Sequence, residues 1–473
     1  MFEPFQALRT ERPRPDAVRE HRSAGWFAVA TVCFGAFLGQ LDASITTLAF
    51  PAMQREFHQP LAGVQWVSLA YLITLVGLLP AAGRIADASG RKLMYLYGFA
   101  VFTAASVACG FAPDLGWLIG FRVVQAIGAT MLQANSVALV VTSVAREQMR
   151  TALGIQSAAQ AIGLAAGPLV GGILVSTLGW RWIFWIGLPF GILGLVSGWF
   201  LLPRTRERTA VQRFDLAGLT TLLAAAAAVL LGISGLSGLP MPWWLALALL
   251  IGGLVTGAGF LRWESSAADP LIRPSMLRPR QVWLGLIGAL CGYLVLFGPL
   301  TLLPQLFGSR SASGLVLSCL PLGFGFAAVL VQRLLPARLT VGARAILGAL
   351  VATAAVTGLA WVMPRVATSP LAPAALLFAV GAGLGLFIPA NNTTIMSQIP
   401  ARLSATGGGL VNVARSLGTA LGVSVVTLSL HTADTGSGGR VALLCLATVG
   451  LVGIATAVLT RSPRDTESAP PTV

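Results

Sequence analysis

The feature that most constrains this chain is a series of long apolar runs between residues 25 and 460. A run of about 20 apolar residues is long enough for an α-helix to cross the hydrocarbon core of a bilayer. Hydrophobic residues make up 56% of the chain and charged residues only 10%. A soluble globular protein contains more charged residues than this. The sequence therefore predicts an all-α protein whose solvent is the lipid bilayer.

Charged residues and clusters of Pro or Gly divide the apolar sequence into fourteen predicted transmembrane helices. The seventh and eighth are joined by the very tight connection "GISGLSGLPMPWW", so one re-entrant pair is an alternative at that place. The predicted spans are 25–50, 63–85, 93–112, 114–143, 151–177, 181–202, 215–236, 242–262, 281–303, 313–334, 343–363, 371–397, 403–430 and 441–460.

The distribution of basic residues predicts the orientation of the spans. With a cytoplasmic N-terminus, most of the 31 Lys and Arg residues fall in cytoplasmic tails and loops, and the opposite loops hold only Arg55, Arg181, Arg310, Arg365 and Arg440. The positive-inside rule then places both termini in the cytoplasm of a multi-pass plasma-membrane protein. Abundant Arg, Ala, Gly and Val indicate a GC-rich bacterial genome. Although the net charge is +15, no compact basic domain is present, so no nucleic-acid partner is expected.

An internal repeat indicates the domain organisation. Residues 134–167 match residues 390–422 with one single-residue gap, which aligns spans 4 and 5 with spans 12 and 13. We expect two pseudo-symmetric six-helix bundles plus two additional helices, a layout in which transporters bind substrate between the halves. The predicted divisions are a cytoplasmic N-terminal tail (1–24), a first bundle (25–203), a linker with the two extra helices (204–280), a second bundle (281–460) and a cytoplasmic C-terminal tail (461–473).

Asp42, in the stretch "GAFLGQLDASITTLAFP", is the one acidic residue of sixteen that falls well inside a predicted span. A charge at bilayer depth costs at least about 2.5–3.5 kcal/mol, so it usually faces a protein interior and marks an ion or substrate path. Arg122 in span 4 has a similar predicted depth, roughly 12 Å at 1.5 Å per residue, so the two could pair. Either the pair is purely structural, or Arg122 tunes the proton affinity of Asp42.

The loop after span 2 reads "GRIADASGRKLMYLYG" and has an informative spacing. We expect Gly83 to permit close helix approach and Gly90 to allow a tight turn. Asp87 can pair with cations, while Arg91 and Lys92 hold the loop on the cytoplasmic side. The loop is interpreted as a conformational latch between helices, and the alternative is an ordinary positively charged loop.

Span 5 contains "AIGLAAGPLVGGILV", in which small residues recur at helical spacing. Gly163, Gly167 and Gly171 lie four residues apart on one face, and Gly172 follows them, so close helix packing is expected. Pro168 interrupts the backbone hydrogen bonds and favours a bend. Taken alone, such a run is common packing material.

Polar residues inside the spans are candidates for lining a substrate cavity. Arg415 in span 13 takes the place of Gln160 in the repeat and must face a cavity or find partners. Each amide is more often an interhelical hydrogen bond than a ligand contact. The candidates are Gln40, Gln125, Gln133, Asn135, Gln160, Gln305, Asn391, Asn412 and Arg415.

Together these motifs resemble the major facilitator superfamily, specifically its 14-span drug:proton antiporters of the EmrB/QacA type. "LDASITTLAFP" resembles the first-span motif of that group, "GRIADASGRK" its loop 2-3 motif, "RVVQAIGA" its fourth-span motif and "GLAAGPLVGG" its fifth-span antiporter motif. The resemblance implies the major facilitator fold and alternating-access efflux of a small amphipathic substrate by a monomer. A proton gradient, and no metal or other cofactor, would drive it.

Two other functions stay open at this point. An importer or uniporter of a small metabolite has the same fold, although the antiporter-like span 5 disfavours it. An integral-membrane enzyme is disfavoured because no metal or nucleophile constellation appears in the spans. Since the further membrane acids of some relatives are missing, a neutral, zwitterionic or singly charged compound is expected rather than a dication.

Overall fold

A computed structural model describes residues 11, 13–205, 215–267, 270, 274–307, 311–331, 339–362, 371–399, 404–433 and 437–461. Every regular element within these ranges is helical. The prediction of an all-α membrane protein is therefore confirmed. Residues 1–10 and 462–473, which belong to the two predicted tails, lie outside the described residues.

Fourteen helices in the described part correspond to the predicted spans, and most of their ends lie within one helical turn of the predicted ends. Thirteen are long and apolar enough to cross a bilayer, and the tenth is a shorter apolar helix. They are α1 (Ala24–Ile45), α2 (Trp66–Ser89), α3 (Arg91–Gly110), α4 (Leu115–Ser143), α5 (Met149–Thr177), α6 (Leu188–Leu201), α7 (Leu216–Leu236), α8 (Trp243–Glu264), α9 (Arg280–Phe307), α10 (Ser311–Phe326), α11 (Val341–Val362), α12 (Leu371–Ser397), α13 (Ser404–Thr432) and α14 (Gly438–Leu459).

Three helices differ from their predicted spans. Helix α6 begins at Leu188 rather than at residue 181, after a separate short helix (Trp182–Trp185). The first span does not stop at residue 50: α1 ends at Ile45, and a 3₁₀ turn (Thr46–Ala49) joins it to a further helix (Phe50–Phe57). The proline in the first turn of that helix costs no intrahelical hydrogen bond there. Helix α10 ends early and passes into a π-helical segment (Ala327–Val331), and the rest of predicted span 313–334 lies outside the described residues.

The two helices between the halves are separate and of full length. Helix α7 has 21 residues and α8 has 22, so at 1.5 Å per residue each is about 30 Å long. That length matches the hydrocarbon thickness of a bilayer. Two helices of this length favour two full spans over the re-entrant alternative.

Helices that the repeat aligns have the same neighbours in the two halves. Helix α1 packs on α5 as α9 packs on α13, and α3 packs on α4 as α11 packs on α12. A Cβ on Gly163 would overlap the carbonyl oxygen of Phe37, and a Cβ on the aligned Gly418 would overlap that of Leu290. Glycine thus lets α5 and α13 lie directly on their neighbours. The exact domain divisions at residues 203 and 280 stay a prediction.

The two halves meet along two helix pairs. Helix α5 packs on α10, and α13 packs on α2. Helix α7 packs on both α2 and α13, with α8 outside it. A Cβ on Gly77 would overlap the side chain of Leu223, so α7 lies in a notch that this glycine opens in α2. The arrangement leaves α1, α2, α4, α9 and α13 around the centre of the molecule.

Candidate functional site

A buried ion pair joins α1 to α4 in the interior of the first half. Nη1 of Arg122 lies 2.8 Å from both carboxylate oxygens of Asp42. The two residues are 1% and 7% exposed, so water does little to solvate either charge. Asp42 and Arg122, which were expected to lie at a similar depth, are therefore in contact. Each supplies the counter-charge that the other needs in a membrane.

Neutral polar groups complete the network around the pair. Nε of Arg122 donates to the carbonyl of Val67 at 2.9 Å, and its Nη1 donates to Oε1 of Gln125 at 2.6 Å. The amide nitrogen of Gln125 in turn donates to Asp42 at 3.1 Å and to the hydroxyl of Ser106 at 2.7 Å. Gln125, predicted as a cavity residue, thus belongs to the charge network instead. Buried charges are tolerated when they are paired and hydrogen-bonded in this way.

Tyr71 of α2 lies between the ion pair and the centre of the protein. Its ring centroid is 4.3 Å from Cζ of Arg122, which is the geometry of a cation–π contact. The residue is 2% exposed, and its hydroxyl has no hydrogen-bond partner among the described residues. Sequence reasoning missed both Tyr71 and Ser106. The available signal was a polar side chain in the middle of an apolar span.

A small cavity lies between the two halves, next to the charge network. Gln40, Tyr71 and Gln133 line it from the first half, and Phe297 and Arg415 from the second. Its volume is ≈ 20 Å³, which is about enough for one water molecule. Drug-sized ligands occupy pockets of about 300–1,000 Å³, so the cavity in this conformation is closed to such a compound.

Arg415 and Gln133 connect the halves across this cavity. Nη2 of Arg415 on α13 donates to Oε1 of Gln133 on α4. The guanidinium also lies 5.9 Å from the ring centroid of Tyr293 on α9. Three of the predicted cavity candidates, namely these two and Gln40, are therefore found on the cavity.

The remaining amide candidates are placed away from the cavity lining. Asn135 donates to a carbonyl of its own helix at 2.8 Å, and Asn391 donates to a carbonyl of α9 at 2.7 Å. The amide nitrogen of Gln305 is buried without a partner in the described part of the chain. Gln160 and Asn412 are half-buried. Among these residues, the bond of Asn391 fits the simpler interpretation of an interhelical contact.

An ion pair between Asp87 and Arg91 spans the turn at Gly90 that joins α2 to α3. Nη2 of Arg91 lies 2.8 Å from a carboxylate oxygen of Asp87, and both side chains are partly exposed. Gly90 between them has φ of 117°. Lys92 is buried and donates to two carbonyls at the C-terminal end of α6, each at 2.9 Å. A cation at a helix C-terminus satisfies carbonyls that lack intrahelical partners, so Lys92 fixes α3 to α6 as well as holding the loop.

The expectation for Gly83 is not met. A Cβ on Gly83 would meet no atom of the described chain within 4 Å, so close helix approach in this conformation does not need glycine there. We predict that Gly83→Ala leaves stability unchanged or raises it, because alanine favours a helix by about 1 kcal/mol. Gly90→Ala should destabilise the protein by about 1–3 kcal/mol, because φ of 117° is unfavourable for a residue with a Cβ. Unfolding midpoints of the two purified variants in detergent would check this, and equal midpoints would contradict it.

The glycine stripe of α5 is a packing surface for α1. Cβ atoms on Gly163, Gly167 and Gly171 would each overlap an atom of α1, the last two those of Ser44 and Ile45. Because Asp42 lies on the same helix, this stripe fixes the helix that carries the buried carboxylate.

The next glycine of the same run faces the other half. A Cβ on Gly172 would lie 3.0 Å from Cα of Gly314 on α10, and a Cβ on Gly314 would lie 2.9 Å from the carbonyl oxygen of Pro168. Two glycines therefore allow the backbones of α5 and α10 to touch where the halves meet. Pro168 lies within the helix beside this contact.

The Trp-rich segment "GWRWIFWIGLPFG" combines exposed and buried tryptophans. Trp182 is 41% exposed, as in an interfacial aromatic belt, but Trp180 is 4% exposed. The indole nitrogen of Trp180 donates to Glu56 at 2.5 Å, and Arg181 pairs with the same carboxylate. This part of the segment ties the start of the sixth span to the extension of α1, because an indole and a guanidinium both need a hydrogen-bond acceptor when they leave water.

The chain is similar to a known protein family and to several transport proteins. A family model described as Major Facilitator Superfamily matches residues 32–423. The tetracenomycin C resistance and export protein of Streptomyces glaucescens is 29% identical over 417 residues, which cover 86% of this chain and 76% of that protein. The riboflavin transporter RibZ of Clostridioides difficile is 29% identical over 409 residues, which cover 84% of this chain and 87% of that protein.

A solved structure shares the fold at low sequence identity. The human organic anion transporter MFSD10 superposes with a TM-score of 0.63 at 16% identity, over 92% of this chain and 99% of that one. At that identity the likeness concerns the fold alone.

Proposed function

The chain belongs to the major facilitator superfamily, and from this premise we propose that this membrane transport protein, which is not an enzyme, exports a small amphipathic organic compound. Influx of protons drives the export, and the two halves alternate in exposing the central cavity to each side of the membrane. The proposal includes a monomer in a bacterial cell membrane with both termini in the cytoplasm, as the basic loops favour.

The observation that carries the proposal is the buried Asp42–Arg122 pair beside the cavity. Among the described residues, Asp42 is the acidic side chain in the middle of a membrane helix; Glu264, which is also buried, lies at the end of α8. Protonation of Asp42 removes the charge that Arg122 neutralises. The bond between α1 and α4 then weakens, and a conformation with different contacts is favoured.

The size of the cavity supports alternating access. A volume of ≈ 20 Å³ excludes a drug-sized compound, so binding needs the halves to separate on one side. Separation would break the α5–α10 contact at Gly172 or the α2–α13 contact. The first is a glycine contact between backbones. Among the described residues, no salt bridge joins the helices of either pair, so separation breaks no interhelical ion pair there.

Only one of the two relatives has a name that gives a direction of transport. The printed name of the Streptomyces glaucescens protein includes export and resistance, which supports an exporter here. The name of the riboflavin transporter gives a metabolite and no direction, and it keeps import or uniport of a small metabolite as the second candidate.

Flux in inside-out membrane vesicles with an acidic interior tests the proposal. A panel of antibiotics, tetracenomycin C among them, is first screened for resistance in an efflux-deficient bacterium that expresses the protein. The selected compound should accumulate in acidified vesicles, and a protonophore should abolish the accumulation; vesicles without the protein correct for passive trapping. Flux that follows only the gradient of the compound would favour the uniporter, and outward flux from the vesicles would favour the importer.

A further inference from the structure

The central cavity carries an unbalanced positive charge. Arg415 is the one charged side chain among the described residues that line it. Asp42, the nearest acid in the site, does not line the cavity and is already engaged by Arg122. The recorded partners of Arg415 are the neutral amide of Gln133 and the ring of Tyr293. A cation in a membrane interior without a counter-ion is costly, which points to a counter-ion that arrives with the substrate.

A second hydrogen-bond donor faces the same cavity. Tyr71 lines it, is 2% exposed, and has a hydroxyl without a partner in the described structure. A buried hydroxyl that makes no hydrogen bond is unfavourable, so such a group is generally satisfied by water or a ligand. An incoming oxygen that accepts bonds from this hydroxyl and from Arg415 satisfies both groups.

The rest of the lining is neutral, and about half of it is apolar. Ala43, Leu72, Leu75 and Phe297 are its apolar side chains, beside the amide of Gln40 and the hydroxyls of Ser416 and Thr419. Pockets of this composition bind the apolar body of a ligand, while a few polar groups fix its orientation. The ligand that fits is therefore a largely apolar compound with one anionic or strongly accepting oxygen group.

We infer that the cavity binds the carboxylate, phenolate or enolate group of an apolar compound, with Arg415 as its counter-ion and Tyr71 as a second donor. This inference rests on the proposed function, since it names the substrate class of that transporter. It also connects substrate binding in the cavity to the movement of the two halves. Arg415 on α13 bonds to Gln133 on α4, so an anion that takes the place of Gln133 releases a bond between the halves.

Two dyes on one xanthene scaffold test the charge preference. Fluorescein is anionic and rhodamine 123 is cationic, and fluorescence anisotropy measures their binding to the full-length protein in detergent without a pH gradient. We expect the wild type to bind fluorescein more tightly than rhodamine 123. Arg415→Gln should weaken fluorescein binding about tenfold or more, which is the usual loss for a hydrogen bond to a charged group, and should leave rhodamine 123 binding unchanged or stronger.

Matched variants distinguish the effect of the arginine in the cavity from the effect of removing any positive charge. Arg440→Gln removes an arginine at the start of α14, where it stacks on Trp361, and should not change either affinity. Arg415→Lys should retain part of the fluorescein affinity, and it also serves if Arg415→Gln does not fold. Tyr71→Phe should weaken fluorescein severalfold while rhodamine 123 binding persists.

Three results would overturn the inference: no fluorescein binding by the wild type, equal fluorescein affinity in the wild type and Arg415→Gln, or a preference of the wild type for rhodamine 123. The proposed function fails by a different result. If the charge-dependent binding is found but no flux responds to a pH gradient, proton-driven export is wrong and the anion site stands.

Discussion

Asp42→Asn is expected to reduce export driven by a pH gradient to the rate of vesicles that lack the protein. Asparagine has nearly the shape of aspartate, but its amide neither binds nor releases a proton at physiological pH. If Asp42 couples proton entry to movement, the variant can still bind its compound but gains no energy from protons. Exchange of labelled for unlabelled compound without a gradient should therefore persist, and Asp42→Glu should retain part of the gradient-driven export.

The matched control for this experiment is Asp16→Asn. Asp16 pairs with Arg19 in a salt bridge whose side chains are 79% and 64% exposed and which precedes α1, so its loss should not change export. Protein levels in the vesicles are compared by quantitative blotting. Gradient-driven export by Asp42→Asn at the wild-type rate would show that the proton binds elsewhere.

Arg122→Gln is expected to cost about 3–5 kcal/mol of unfolding free energy, the usual penalty for removing one partner of a buried ion pair. The change leaves the carboxylate of Asp42 without its counter-charge and removes the donor to the carbonyl of Val67. The double variant Asp42→Asn/Arg122→Gln should be more stable than Arg122→Gln alone, because no charge is then buried without a partner. Denaturant unfolding in detergent, followed by tryptophan fluorescence, measures the unfolding free energy of Asp42→Asn, of Arg122→Gln and of the double variant relative to the wild type.

An exposed ion pair supplies the comparison for Arg122. Arg91→Gln removes the partner of Asp87 in a pair that is 30% and 42% exposed, and surface pairs contribute at most about 1 kcal/mol. If Arg122→Gln costs no more than Arg91→Gln, or if the two changes in the double variant simply add, the buried pair does not contribute the expected coupling.

Bilayer thickness made much of the fold predictable. It sets the length of an apolar helix, so the number and place of the spans follow from the chain alone, and the repeat reveals which helices share neighbours. Asp42 and Arg122 were identifiable because charges are rare in spans and because helix rise gives their depth. The tilt and rotation of the helices then decided that they pair.

Features that depend on tertiary packing were not predictable. Tyr71 and Ser106 are polar residues in apolar spans, but they carry no charge, and their local sequence does not show which helix they contact. Lys92 looked like one more cytoplasmic cation, and its bonds to the end of α6 require two distant segments to meet. Gly83 shows the reverse error: a glycine in a motif suggested a close contact, whereas its surroundings in this conformation are open.

The position of α7 makes the two sides of the transporter different for molecules dissolved in the lipid. Where α2 meets α13, α7 lies against both helices and separates that junction from the acyl chains. Where α5 meets α10, Ile162, Leu169 and Leu315 are exposed on the outer surface. A compound that enters the cavity laterally from the bilayer therefore has two different routes. At the α2–α13 junction it must also pass α7, whereas at the α5–α10 junction it must pass only that helix pair.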